Sequence, residues 1–451
     1  MANEQSVKAT IPAGSTVRLF LPDDSSSFRC AAADLFAEEL LRRLPLRIEK
    51  ALISNMEAQS GAALDIGFTT LGTIPPRFAF IEPPPKIRPY PDHAEHVNLR
   101  FVQDEERWTA LVLCGAESSF AFGAGALLRL FRFHGDRLEF KAEPLDMQPL
   151  TPIRGIYFTE VDKQRDGRRF MSDLLLGGGN VCGFPLPSAC DWESFFDLAQ
   201  CAHDWGLKNL LSISMESGYF EQEAKSRREF WRKSPPVDIV MLSHSPSPQH
   251  LLDNVGALRS LLDETGQKSD IWLEINNLSE EDLRLLFNWI GAAPQSIVKA
   301  IAYNPSRNGA LIRQEAPLTM QLVSLFPLSG EAPVSIAALG KQYFESAPLT
   351  YGALGASSGD RGGLAGFAWS RFSWSPSLSL EDIFEQYGQW FFGAKAAEPM
   401  RVALMALEES AAANSAFIRQ QFEYAISLVP PAMRELAQSQ MDSLRLGIEG
   451  A

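Results

Sequence analysis

Two kinds of hydrophobic spacing divide the chain. Over 28–43 and again over 118–133, apolar positions recur every three or four residues, which predicts amphipathic helices. Three segments between them carry the β-branched and aromatic residues typical of strands: 64–70, 97–103 and 108–116. The DEER turn between the second and third of these segments favours a hairpin. Residues 1–148 are therefore predicted to form a small α/β domain.

After Pro149 and Pro152 the pattern changes to short apolar runs separated by helical segments. Eight runs are predicted as buried strands: 153–159, 179–184, 207–214, 237–243, 270–276, 297–303, 319–326 and 349–355. Helices are predicted at 190–205, 223–233, 250–264, 279–291 and 335–345, with a short one at 168–176 and little or no helix in 305–317. Ser279 and Asp282 have the spacing of a capping box. Eight strands over about 225 residues predict an α/β fold with a (β/α)8 barrel at 149–375.

The remaining segment, 376–451, is predicted to be a helical C-terminal region, in which Pro430 and Pro431 separate the second helix from the third. Two glycine runs need an explanation. The run at 123–125 lies inside a helix, which indicates close packing of that helix on a sheet rather than a dinucleotide site. The run at 177–179 lacks the Lys and Ser/Thr of a phosphate loop and predicts a tight turn into a strand.

Charge and composition exclude several classes of partner. The 451 residues carry a net charge of −14, with a pI of about 5.1, which disfavours nucleic acid and anionic membranes. No stretch approaches roughly eighteen uninterrupted apolar residues, and the first residues lack a secretion signal. The five cysteines include no close pair, which argues against a disulfide framework and a zinc site. We expect a cytoplasmic protein without cofactor or metal; the sequence does not indicate its oligomeric state.

Two parts of the chain resemble a set of glycoside hydrolases. The helix with GAGALL (123–128) and the strand PIRGIYF (152–158) resemble the junction before the barrel in β-N-acetylhexosaminidases, hyaluronidase-like N-acetylglucosaminidases and bacterial α-glucuronidases. FAWSRFSWSP (367–376) and YGQWFFG (387–393) resemble the end of the barrel and the first C-terminal helix in poorly characterised members of that set. The resemblance implies a hexosaminidase-like N-terminal domain, a carbohydrate substrate and cleavage of an O-glycosidic bond.

The chain departs from that set at one important place. Hexosaminidase-type enzymes carry an adjacent Asp-Glu pair after the fourth strand, where this sequence reads Ser-His-Ser-Pro at 243–246. The segment 356–363 keeps one acid, Asp360. A degenerate, non-catalytic protein that binds a carbohydrate or a protein partner is therefore the alternative to a glycosidase. A barrel enzyme of another class, such as a lyase or isomerase with a metal held by His244 and nearby acids, is a third.

Two glutamates are predicted to carry the catalysis. Glycosidic cleavage generally needs two carboxyl groups that flank the bond, and a barrel presents such groups at the C-terminal ends of its strands. Glu216 follows the third strand, and Glu274 ends the fifth. A carboxylate inside a parallel strand is destabilising unless it is paired or functional. The alternatives are a solvated loop acid for Glu216 and an ion pair with Arg154 for Glu274.

Six further residues near strand ends are predicted to bind the substrate. They are Glu160, Tyr219, His244, Trp272, Asn304 and Asp360. For Asn304 a turn-forming role is an equal alternative. Asp162 is a weaker candidate. We interpret Arg154 as a structural bridge to the N-terminal domain, and Trp369 and Trp374 as core.

Which face of the first strand points into the barrel is open from the sequence alone. Period-two alternation puts Arg154 and Glu160 on one face and Tyr157 on the other. His244 and His250 lie six residues apart and could approach one cation, but no clear third ligand is near. We therefore predict no metal.

Overall fold

A computed structural model describes most of the chain. The described residues are 8–21, 27–55, 62–70, 95–104, 107–158, 167–187, 191–215, 224–243, 245, 247–292, 297–328, 335–346, 349–357, 363–375, 378–410 and 415–449. Within them lie two open sheets, a closed barrel and a group of C-terminal helices.

The N-terminal part is built on two sheets covered by two helices. Its strands are β1 (Lys8–Pro12), β2 (Thr16–Leu21), β3 (Arg47–Leu52), β4 (Leu64–Thr70), β5 (Val97–Asp104), β6 (Arg107–Cys114), β7 (Phe131–Phe133), β8 (Arg137–Lys141) and β9 (Leu145–Met147). Six of them form a mixed sheet of order β3-β2-β4-β6-β5-β9, and the other three an antiparallel sheet of order β1-β8-β7. Helices α1 (Ser27–Arg43) and α2 (Phe120–Leu130) pack against each other and against the larger sheet. The predicted α/β layer and its hairpin, β5 with β6, are confirmed.

The helix predicted over 118–133 extends too far at its C-terminal end compared with the structure. Helix α2 ends at Leu130, and Phe131 adopts an extended conformation. The next three residues alternate buried, exposed and buried as strand β7, which pairs with β8. The alternating Phe-Arg-Phe pattern is that of a strand, which the preceding helical periodicity masked.

Eight parallel strands close into a barrel, as predicted. They are β10 (Ile153–Phe158), β11 (Val181–Pro185), β12 (Lys208–Ser214), β13 (Ile239–Ser243), β14 (Asp270–Glu274), β15 (Ala300–Tyr303), β16 (Gln321–Pro327) and β17 (Gly352–Ser357). Strand β17 pairs with β10 and completes the ring. The closed ring removes every free strand edge.

Each barrel strand is followed by a described helix. The helices are α3 (Gly167–Gly177), α4 (Trp192–Asp204), α5 (Ala224–Lys233), α6 (Pro248–Thr265), α7 (Glu280–Ala292), α8 (Gly309–Glu315), α9 (Ile336–Ser346) and α10 (Gly363–Trp374). The backbone N–H of Asp282 donates to Ser279 Oγ at 3.2 Å, so the predicted cap of α7 is confirmed. Two helical turns also form in α8, where little or no helix was expected.

The tail packs as four helices. They are α11 (Leu380–Phe392), α12 (Ala394–Ser410), α13 (Ser415–Ser427) and α14 (Arg434–Glu449). The second helix of this region is predicted from the sequence as one run over 400–428. The structure has two helices there, α12 and α13, which pack against each other. Pro431 begins a short 3-10 turn before α14, so the predicted break is confirmed. No helix among the described residues is long and apolar enough to cross a membrane.

Arg154 joins the barrel to the N-terminal layer, as predicted. Its side chain is 1% exposed and contacts Glu95 Oε2 at 2.8 Å. It also donates to the carbonyl oxygens of Gly178 at 3.0 Å and Thr151 at 2.6 Å. Arg154 lies at the start of β10, so the alternative of an ion pair with Glu274, at the other end of the barrel, is wrong.

A second junction is made by backbone packing. A Cβ on Gly125 of α2 would lie 1.8 Å from the carbonyl oxygen of Leu176 in α3. The helices can approach this closely only without a side chain there. A Cβ on Gly123 would lie 2.3 Å from Val112 Cγ1 of β6, so the predicted close packing of this helix on a sheet is confirmed. The packing of Gly125 on a barrel helix was not predicted. In the second glycine run Gly178 has a φ of +108°, the turn conformation expected before β11.

A cluster of charges forms a third junction, which we name the Glu39 clamp: Glu39, Arg42, Arg43, Arg169 and Asp173. Glu39 on α1 is 2% exposed and accepts hydrogen bonds from Arg42, Arg43 and Arg169. Burial alone would raise the pKa of Glu39, but the charges of Arg43 and Arg169 hold it below its ordinary value. Arg169 belongs to α3, so the clamp connects the N-terminal layer to the barrel.

Candidate active site

Glu274 lies at the C-terminal end of β14, where a barrel presents its functional groups. It is half-buried and follows three buried residues. Asn276 Nδ2 donates to Glu274 Oε1 at 2.7 Å, which orients the carboxylate. The structure thus provides one positioned carboxylate at the barrel mouth.

The inner face of the barrel is defined by one cluster of buried side chains. Its members are Ile153, Tyr157, Val181, Leu210, Ile239, Met241, Trp272, Ala300, Ala302, Val323, Leu325 and Leu354. Side chains alternate along a strand, so Glu274 shares this inward face with Trp272. The same alternation resolves the first strand: Tyr157 points inward and Arg154 outward.

Three hydroxyl groups lie on the same inward face near Glu274. Ser212 Oγ and Ser243 Oγ are 3.0 Å apart, and both residues are buried. The register that pairs β13 with β14 puts Ser243 beside Glu274 when it is continued by one residue. Burial raises the pKa of Tyr157 to about 12; the Ser212 hydroxyl opposes that rise and the charge of Glu274 adds to it. Tyr157 is therefore a neutral phenol close to the carboxylate at ordinary pH.

These hydroxyl residues were missed from the sequence. Tyr157 was left on one of two faces that could not be told apart, and serines in buried strands attract no attention individually. For the serines the available signal was position: Ser212 and Ser214 lie two residues apart in LSIS (211–214), and Ser243 ends β13.

Trp272 lies one step deeper than Glu274 on the same strand. It is 2% exposed, and no described residue accepts a hydrogen bond from its indole Nε1. The ring fills the barrel interior beneath the mouth, and its predicted contact with the substrate stays a prediction.

Asn304 follows β15 and makes a turn. Its Oδ1 accepts hydrogen bonds from the Ser306 backbone N–H at 3.0 Å and from Ser306 Oγ at 2.6 Å. The backbone N–H of Asn304 in turn donates to Asn276 Oδ1 at 2.6 Å. The turn-forming role is therefore confirmed, and through Asn276 it supports the position of Glu274.

Five predicted site residues lie outside the described residues: Glu160, Glu216, Tyr219, His244 and Asp360. They stay predictions, as does the carbohydrate contact of each. Among the described residues no group of three or more His, Cys, Asp or Glu side chains could hold a metal ion.

The two tryptophans near the last strand are core, as interpreted. Trp369 is 1% exposed and Trp374 is 5% exposed. The indole of Trp369 donates to the Gly155 carbonyl at 3.0 Å, and that of Trp374 to the Gly178 carbonyl at 2.7 Å. Neither ring offers a face to a sugar.

Comparisons with known proteins agree with this architecture. No family model matches the sequence, and no curated protein matches it. Among solved structures, one similar protein is a family GH115 4-O-methyl-α-glucuronidase with specificity for decorated arabinogalactans. The match covers 98% of this chain and 72% of the glucuronidase chain, with a TM-score of 0.65 and 12% identity. A GH138 enzyme targeting pectin rhamnogalacturonan II matches 87% of this chain at TM-score 0.60 and 11% identity, and this chain covers 55% of it.

A third similar structure is a β-N-acetylhexosaminidase from Bacteroides fragilis. It matches 83% of this chain and 89% of its own, with a TM-score of 0.54 and 11% identity. At such identities the likeness shows the fold alone. The chain therefore has the fold of barrel-type glycoside hydrolases with a hexosaminidase-like N-terminal domain, and the resemblance drawn from its sequence is confirmed at that level.

Proposed function

We propose that the protein is a glycoside hydrolase that cleaves an O-glycosidic bond of a carbohydrate at the C-terminal mouth of the barrel. The observation that carries the proposal is Glu274, a carboxylate on the inward face at a strand end, oriented by Asn276. Retaining and inverting glycosidases both need such a group on one side of the bond and a second carboxyl on the other.

Glu216 is the proposed second carboxyl group. It follows Ser214 by two residues at the end of β12, and β13 alone separates β12 from β14. Neighbouring strands lie about 4.8 Å apart, so groups from β12 and β14 start from backbones separated by about 10 Å. Side chains that lean toward the mouth from these strands are compatible with either the roughly 5–5.5 Å or the roughly 6.5–9.5 Å separation of glycosidase carboxyl pairs.

The test compares isosteric variants on a panel of 4-nitrophenyl glycosides. Both Glu274→Gln and Glu216→Gln are expected to lower kcat/KM by at least about 100-fold, because each removes a group that acts on the bond in the transition state. The matched control is Glu264→Gln, which alters an exposed glutamate paired with Arg228 on the outer helices. This control should keep its activity within about twofold.

Two results would contradict the proposal. Full turnover by both Gln variants would remove the two glutamates from the mechanism. Binding of oligosaccharides by the wild-type protein, without cleavage of any glycoside in the panel, would instead support the non-catalytic alternative.

A further inference from the structure

Two arginines meet at the end of the barrel opposite Glu274. Arg129 lies in the last turn of α2, and Arg371 lies in α10. Arg129 Nη1 donates to the Leu176 carbonyl at 2.5 Å, just before the turn that leads into β11. This contact places the pair at the N-terminal ends of the barrel strands, between the N-terminal layer and the barrel.

Neither arginine has an ion pair with a carboxylate of the described chain. Arg371 is 5% exposed, and its Nε donates to Gln386 Oε1 at 2.9 Å. Its Nη1 is buried and has no hydrogen-bond partner among the described residues. A buried guanidinium nitrogen without an acceptor costs about 1–3 kcal/mol or more, so this group lacks a partner that its chemistry requires.

The electrostatics of the pair point the same way. Burial, and then the charge of Arg371, hold the pKa of Arg129 well below its ordinary value. Burial lowers the pKa of Arg371 to about 10. A guanidinium group keeps its proton in proteins, so two like charges face each other where water screens them poorly.

The two arginines line a cavity of about 680 Å³. Five carboxylates also line it: Glu139, Glu143, Asp146, Asp382 and Glu385. Glu139 pairs with Lys8 at 2.6 Å and with Arg137 at 2.8 Å. Asp146 pairs with Arg100 at 3.1 Å, and Asp382 accepts a hydrogen bond from Ser379 Oγ at 2.7 Å. Glu385 pairs with Arg132 at 3.6 Å. Four of the five carboxylates therefore have a partner, and the fifth, Glu143, is exposed to water, whereas the buried Nη1 of Arg371 has no acceptor among the described residues.

We propose that this cavity binds a small molecule that carries a phosphate or a carboxylate group, with its anionic oxygens against Arg129 and Arg371. Guanidinium groups bind such oxyanions through parallel, charge-assisted hydrogen bonds. The volume is within the range of roughly 300–1,000 Å³ for small-molecule sites. Gln148 also lines the cavity and offers its amide group to hydroxyls of the ligand, whereas the amide nitrogen of Gln389 already donates to Glu385 Oε1 at 2.7 Å.

This ligand site is separate from the proposed active site. Glu274 lies at the C-terminal ends of the strands, while the cavity is lined by Trp374, whose indole contacts the turn before β11. Binding at the cavity therefore needs no glycoside turnover, and its test does not depend on the proposed function.

Isothermal titration calorimetry at constant ionic strength tests the proposal. The probes are inorganic phosphate, glucose 6-phosphate, gluconate and, as the uncharged comparison, glucose. At least one anion is expected to bind the wild-type protein at least tenfold more tightly than glucose. Preference for glucose 6-phosphate over gluconate would identify a phosphate ligand, and the reverse a carboxylate. Equal behaviour of all four probes would overturn the proposal.

Variants then locate the binding. Arg371→Met, which keeps the length of the side chain, should weaken anion binding at least tenfold. Arg371→Lys, which keeps a charge but loses the planar fork, should weaken it less. Arg228→Met removes an exposed arginine that pairs with Glu264 and does not line the cavity, and it should change the affinity less than threefold.

The thermal midpoint of each variant without ligand shows that it is folded. Should Arg371→Met not fold, Arg371→Lys decides the question. Unchanged anion affinity in the Arg371 variant, or equal weakening by Arg228→Met, would refute the site.

Discussion

Replacing Arg154 with Met should destabilise the protein far more than the same replacement at an exposed arginine whose ion pair has the same N···O distance. The Arg154 guanidinium contacts Glu95 at 2.8 Å and two backbone carbonyls, and the side chain is 1% exposed. Methionine keeps the aliphatic length and loses every one of these contacts. The change therefore isolates the charge and its hydrogen bonds at the junction of barrel and N-terminal layer.

The expected size of the loss follows from what remains behind. Breaking a buried ion pair from one side typically costs about 3–5 kcal/mol, because the partner keeps its charge without compensation. The Glu95 side chain is 21% exposed and still accepts a hydrogen bond from Asn180 Nδ2 at 2.8 Å. We therefore expect the free energy of unfolding to fall by about 3 kcal/mol, at the lower end of that range.

Urea denaturation, followed by both circular dichroism and tryptophan fluorescence, measures the effect. The control is Arg228→Met: Arg228 pairs with Glu264 at 2.8 Å too, but the two side chains are 44% and 51% exposed. An exposed pair contributes about 0–1 kcal/mol. If Arg154→Met costs no more than Arg228→Met, burial does not set the strength of the Arg154 junction, and the reasoning is wrong.

Two further expectations concern stability. Gly125→Ala should lower the free energy of unfolding by about 3 kcal/mol or more, since the new Cβ would lie 1.8 Å from the Leu176 carbonyl oxygen. The control is Gly256→Ala, where a Cβ meets nothing within 4 Å; it should stabilise α6 by about 0.5–1 kcal/mol. Equal effects of the two variants in urea titrations would contradict the packing argument. Hydrogen bonds, first from Lys8, lower the pKa of Glu139 from 4.5 to about 2. The carboxyl pKa is depressed on folding, so its contribution is present above pH 4.5 and is lost as the pH falls toward 2. Glu139→Gln should therefore lower the free energy of unfolding by about 1 kcal/mol at pH 7 and make little difference near pH 2, which thermal denaturation at both pH values measures. A difference that stays constant across that range would contradict the expected direction of the pH dependence.

The barrel could be predicted from the sequence because its strands are buried on both faces. Such strands are short, nearly continuous apolar runs, and each run here is separated from the next by a helical segment. The same property hid the orientation of the first strand: Ile156 packs outward and Tyr157 inward, and both are buried. Hydrophobicity alone cannot distinguish the two faces of such a strand.

Strands outside the barrel were harder to find. Arg47–Leu52 is a parallel edge strand with no fully buried residue, so RIEKAL lacks the alternation that reveals a half-buried strand. Glu274, in contrast, could be found because an acid in an apolar strand contradicts its surroundings. The arginine pair could not be predicted, since Arg129 and Arg371 are separated by more than half of the chain.

The Glu39 clamp restricts which segments of the gene can be exchanged with those of a related gene. Glu39 comes from the N-terminal layer, Arg169 comes from the barrel, and Arg43 also donates to the Trp390 carbonyl of the tail at 3.3 Å. A gene fusion that supplied an N-terminal layer without a glutamate at this position would leave Arg169 without the Glu39 carboxylate, even if the new layer folded correctly. Exchange between related genes is therefore expected to preserve all three parts together, or to replace the clamp residues in concert.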